Sequence, residues 1–182
     1  MTDGAGDLER WAADARAREA ADARVRERWL RAQAEEESSL AGVLLALAER
    51  REVVVVTTVG GRRHRGVVAG VGVDFAALQA PAGTTTLVAL AALGDVRVVD
   101  GGRRSATTTG DGAVELGVRL GEVLAQAAGQ RPRISVHAGV AAVVGDLRAV
   151  GGDVVTVRAD GEAGAVYVPL ASISEVSFLA SG

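Results

Sequence analysis

The chain changes its hydrophobic rhythm three times. From about Asp7 to Arg51, Ala, Arg, Glu and Leu dominate, Gly42 is the only glycine after Gly6, and proline is absent, a composition that favours helix. Opposite charges stand four apart at Asp14/Arg18, Arg18/Asp22, Asp22/Arg26 and Glu27/Arg31, the spacing that supports an exposed helix face. Leu8, Trp11, Ala15, Val25 and Trp29 approximate one stripe. That stripe predicts packing of the helix on the body, or against a partner helix. After the acidic triplet Glu35–Glu37, Ser38 or Ser39 can cap a second helix carrying Leu40, Val43, Leu44 and Leu47 on one face.

From residue 52 the period shortens. Val53–Thr58 is a β run, Gly60-Gly61 marks a hairpin turn, and Arg62–Val71 continues as a strand interrupted by Gly66. A turn at Val71–Asp74 leads into Phe75–Ala80, a loop at Pro81–Gly83 precedes Thr85–Leu90, and Asp95–Val99 closes the set. Residues 100–112 are rich in Gly, Thr and Ser with little to bury, which predicts a flexible linker.

Beyond the linker the chain repeats itself. Placing Gly66 against Gly145 brings Val71-Gly72 opposite Val150-Gly151, Asp74 opposite Asp153 and Leu78 opposite Val157. One further loop residue sets VALAALGDVRVV (Val88–Val99) against VPLASISEVSFL (Val168–Leu179), and an apolar helix at Val114–Ala128 answers the one at Leu40–Arg50. A unit of helix plus five strands, present twice, is a stronger signal than any single motif. The division this predicts is a charged N-terminal helix (1–37), a first unit (38–99), the linker (100–112) and a second unit (113–182).

The repeated stretches GVVAGVGVDFAAL (Gly66–Leu78) and GDLRAVGGDVVTV (Gly145–Val157) resemble the central pattern of the Sm-like family. The resemblance covers about residues 38–99 and 114–179. It implies a mainly β fold of two tandem five-stranded SH3-like small barrels, each preceded by a helix, and the layout is similar to bacterial chains with an N-terminal helix and two such barrels. Gly66 and Gly145 would allow the second strand to bend where a Cβ would crowd it. The family's RNA-reading residues do not carry over. The positions two and four after the Asp hold Ala76 and Leu78, or Val155 and Val157, and the Arg-Gly-Asp-like turn survives only as Leu93-Gly94-Asp95 and Ile173-Ser174-Glu175. The Lys-His pair of the bacterial host-factor subfamily is also missing, since Val168 and Pro169 follow Tyr167. Apolar residues cannot read a base edge.

Composition then narrows the function. The chain is 48% hydrophobic and 24% charged with a net charge of −3, which fits a packed globular protein and not a general nucleic-acid binder. It has no cysteine, which removes disulfides, thiolate metal sites and cysteine nucleophiles. Asp3, Asp7 and Glu9 make the N-terminus acidic where a secretory signal needs positive charge. The longest uncharged stretch, Phe75–Gly94, is broken by Pro81, Gly83 and Thr84–Thr86, so it reads as strand, loop, strand. No membrane association and a cytoplasmic location are expected.

The densest positive feature outside the helix is Arg62-Arg63-His64-Arg65. It reads either as a solvated turn that protects a strand edge or as a nucleic-acid contact. Asp74 and Asp153 share a position after a glycine-containing turn, which predicts a turn role in which each bonds nearby backbone amides. His64 and His137 occupy different places in the two units and lack plausible partners in the sequence, and the glycines match neither Walker nor dinucleotide-binding spacing. No catalytic residue, metal ligand or cofactor is expected. Thr85, Leu87 and Leu90 lie on an apolar, uncharged stretch of high β-propensity. A strand of that kind must be paired, with the other unit or with a second chain. The expected function is a non-enzymatic binding or assembly module that contacts protein, itself included, through barrel edges and the N-terminal helix. The alternative is an RNA- or DNA-binding regulator that uses the arginine hairpins.

Overall fold

The computed structural model describes residues 39–99 and 114–180, together with Glu19, Arg24 and Glu27. The chain divides into compact units Met1–Leu40 and Ala41–Gly182. In the first, Glu19, Arg24 and Glu27 are helical and exposed. The rest of the expected N-terminal helix, with Trp11 and Trp29, lies outside the described residues, as does the 100–112 linker.

The remainder is mainly β. Helix α1 (Leu40–Glu49) precedes β1 (Val53–Thr58), β2 (Arg63–Val71), β3 (Phe75–Gln79), β4 (Thr85–Ala89), a 3-10 turn at Leu90–Ala92 and β5 (Leu93–Val98). A short β6 (Val114–Glu115) comes next, followed by helix α2 (Leu120–Ala128), β7 (Arg133–Ala138), β8 (Ala141–Val150) and β9 (Val154–Ala159). The chain ends in β10 (Ala165–Pro169), a second 3-10 turn at Leu170–Ser172 and β11 (Ile173–Phe178).

Pairings recur between the halves. Val54 stands opposite Gly66 on one side and Val98 on the other, as Ile134 stands opposite Gly145 and Phe178. Thr57 faces Asp95 as His137 faces Glu175. The register shift in β2–β3 falls between Val68 and Gly70, and that in β8–β9 between Leu147 and Ala149. Even the corner bonds match: Leu90 donates its amide to the Asp74 carbonyl, and Leu170 to that of Asp153.

The two tandem barrels that the resemblance implies are not set apart as two separate sheets. The strands run as one open antiparallel sheet in the order β10-β9-β8-β7-β11-β4-β3-β2-β1-β5. The physical reason is that β11 of the second half hydrogen-bonds to β4 of the first. A strand edge left open carries unpaired backbone groups, and here each half supplies the other's missing neighbour.

Two cores result. Leu44, Leu47 and Ala48 of α1 pack with Val54, Val56, Val68, Ala76, Leu78 and Val88. Leu120 and Leu124 of α2 pack with Ile134, Val136, Leu147, Val155 and Val176, and with Phe75, Ala77 and Leu87 from the first half. Strand β3 therefore alternates between the cores: Ala76 and Leu78 serve one, Phe75 and Ala77 the other. A strand buried on both faces must be apolar throughout, which explains the unbroken Phe-Ala-Ala-Leu.

The helix expected over Val114–Ala128 begins six residues late. Val114 and Glu115 instead pair in parallel with Gly70 and Val71, Leu116 donates to the Val71 carbonyl, and Val73 to that of Val118. The first half thus captures the entry to the second before α2 starts.

Candidate functional site

The apolar stretch singled out in the sequence is paired within the chain. On β4, Thr86, Leu87 and Val88 stand opposite Ser177, Val176 and Glu175 of β11. Leu87 and Val176 are buried, and the Thr86 and Ser177 hydroxyls are 2.9 Å apart. Thr85 lies in β4 outside that register, and Leu90 sits in the 3-10 turn.

A charged cluster pins the same join. Glu175 is wholly buried in β11. Arg62 Nε donates to its Oε1 at 2.6 Å and His64 Nε2 to its Oε2 at 2.6 Å. His137 Nε2 lies 3.9 Å from Oε1 and 3.3 Å from the Ser135 hydroxyl. Burial acts to raise the Glu175 pKa, but the hydrogen bonds from His64 and Arg62 outweigh it and hold the carboxyl below the usual range. Burial, reinforced by the Arg62 guanidinium, pushes His137 below the ordinary histidine value.

The histidines therefore do have a partner, which corrects the expectation that they lack one. Glu175 is 111 residues from His64 in sequence, so only the fold brings them together. The arginine hairpin is split by strand alternation. Arg62 is tied to Glu175 and His64 is largely covered, while Arg63 and Arg65 are exposed.

Asp74 also acts at long range. Its Oδ1 accepts the Leu120 amide at 2.7 Å, and its Oδ2 lies 3.7 Å from Arg119 Nη1. The expected bond to a nearby amide is replaced by a cap on the first turn of α2, where a carboxylate meets unsatisfied N–H groups and the positive end of the helix dipole. The Arg119 amide also donates to Glu122 Oε2 at 2.6 Å. Asp153 is exposed.

Gly66 and Gly145 sit where the neighbouring strand leaves no room for a side chain. A Cβ at Gly66 would meet the Gln79 carbonyl, and one at Gly145 the Arg158 carbonyl, closer than real Cβ atoms approach backbone.

Between the halves lies a cleft of about 1320 Å³, lined among others by Val59, Arg62, Ala91, Arg119, His137 and Val140. At the ends of the sheet, β5 and β10 each have one strand neighbour among the described residues. Val98 on β5 and Tyr167 on β10 are 47% and 69% exposed, so each open edge presents a large apolar side chain. Asp95 on β5 is satisfied locally, by the Thr57 hydroxyl at 3.3 Å and Arg97 Nε at 3.0 Å. Among the described residues, no group of three or more His, Cys, Asp or Glu is placed to hold a metal ion, and no helix is long and apolar enough to cross a membrane.

No family model matches the chain, and no curated protein does.

Proposed function

We propose that this chain is a non-enzymatic assembly module: two fused Sm-like units that associate head to tail with further copies of the same chain. The observation that carries the reading is the internal join. There the last strand of one half, β11, pairs with the fourth strand of the other, β4. Among the described residues, the two strands with an open edge are the counterparts of those partners, β5 of the first half and β10 of the second.

The matching registers supply a template for the missing contact. Thr86, Leu87 and Val88 correspond to Val166, Tyr167 and Val168, and Ser177, Val176 and Glu175 to Arg97, Val96 and Asp95. Transferring the β11–β4 pairing places Asp95 opposite Val168, Val96 opposite Tyr167 and Arg97 opposite Val166 of a second copy. Pro169, which has no N–H to donate, corresponds to Ala89 and falls outside that register. The contact joins two different surfaces, so repeated addition closes into a ring or continues as a filament, depending on the rotation per step. Addition of a strand through main-chain hydrogen bonds is an established mode of recognition.

The test is covalent capture. The chain has no cysteine, so Val96→Cys/Tyr167→Cys introduces the only thiols and leaves Asp95 its donors. Oxidation should give interchain disulfides, because the corresponding Val176 and Leu87 stand directly opposite each other at the internal join. Absence of interchain bridging at high concentration would overturn the reading.

A further inference from the structure

The internal join and the open edges share backbone geometry but differ in side-chain chemistry. Glu175 enters the join fully buried and receives two charged-group hydrogen bonds from β2 and its hairpin, from Arg62 and His64. The corresponding places in the second half hold Ala141 and Val143, since Val56 faces His64 as Val136 faces Val143. Asp95, which corresponds to Glu175, is satisfied by Thr57 and Arg97 of its own half. Strand β5 can therefore meet a partner that offers no donors, whereas β11 cannot.

We propose that Arg62, His64 and Glu175 are the selectivity element of assembly, assigning β11 to the β4 edge of its own chain and excluding it from the β10 edge of a second copy. On β10, Glu175 would be buried against Ala141 and Val143 with its partners left behind, and an unpaired buried carboxylate is strongly disfavoured. His137 stands near Glu175 on β7 of the same half and would travel with it. At 3.9 Å from Oε1 it stands beyond hydrogen-bond distance and does not replace the lost donors. Selection here works by penalising the wrong pairing, which equal backbone complementarity would otherwise permit. The inference uses the head-to-tail reading only to name the competing edge.

The experiment reads mispairing directly. Val166→Cys/Ser177→Cys places one thiol on β10 and one on β11. These strands are separated within a chain by β9, β8 and β7, so a disulfide between them reports interchain β11–β10 pairing. The comparison is made near the ~1 mM effective concentration of a covalently linked partner, where interchain pairing can compete. With the native cluster, little bridge should form. Adding Glu175→Leu, which removes the penalised charge, should raise it about tenfold, as should Ala141→Arg/Val143→His, which supplies donors at the wrong edge. Thr86→Cys/Ser177→Cys, bridged within the chain in each background, checks that the native join still forms. Equal interchain bridging with and without Glu175→Leu, in protein that passes this check, would overturn the proposal. If Val96→Cys/Tyr167→Cys fails to bridge while the Glu175→Leu effect appears, head-to-tail assembly falls and the selectivity of β11 stands.

Discussion

Leu87 on β4 stands directly opposite Val176 on β11, and both are buried in the core built around α2. A first-half residue thus helps complete the second core, and the halves are coupled in stability.

Leu87→Lys should therefore act on folding before it acts on association. Burying an ammonium group in that core should cost about 3–5 kcal/mol. Denaturant unfolding should show both halves losing stability together. A soluble variant with an unchanged midpoint would place Leu87 outside the core.

Gly66→Val should destabilise the protein by roughly 1–3 kcal/mol, because the new side chain would press on the Gln79 carbonyl. Gly66→Ala tests the same contact with a single methyl group and should already show a loss. Chemical denaturation measures both, and wild-type midpoints would show that β2 and β3 are less closely apposed.

Asp74→Ala should cost about 1 kcal/mol by uncapping α2. Amide hydrogen exchange should accelerate selectively in the first turn of that helix, at Leu120 above all, whose amide Asp74 accepts. Unchanged exchange there would remove the capping role.

The join should weaken on acidification. The unfolded chain takes up a proton on His137 near its ordinary value of 6.5, while the folded protein resists it. Stability from this group is full above that pH and declines below it. Glu175 adds a second loss below its ordinary 4.5, since its folded value is depressed. Unfolding midpoints at about pH 7.5, 5.5 and 4 should fall in that order. In His137→Gln the first decrement should shrink. A midpoint flat across this range would contradict the buried cluster.

Much of the fold was legible because it is locally encoded. Val53–Thr58 is a strand with the bounds its β run predicts, and Gly66 pairs with Val54 as Gly145 pairs with Ile134. The start of α2 was misplaced because Val114–Glu115 takes its conformation from β2, a distant partner. Asp74 looked like a turn residue because its cap recipient lies 46 positions away. Glu175 drew no notice as part of a site. A lone charge within the otherwise uncharged strand Ile173–Phe178 is the signal that could have marked it, but its donors are identifiable only once β11 lies beside β4. The unbroken apolar stretch at Thr85–Leu90 did announce a paired strand, and the partner proved to be the other half.

Mass in solution tests the central claim most directly. Light scattering across a concentration series should find the wild-type chain in multiples of its 18.5 kDa mass, growing with concentration. Tyr167→Lys places a charge on the open β10 edge, at a side chain already exposed. It should return the protein to the monomer with an unchanged denaturant midpoint, as edge lysines do. A wild-type chain that stays monomeric throughout, or a Tyr167→Lys variant that assembles like the wild type, would contradict head-to-tail assembly.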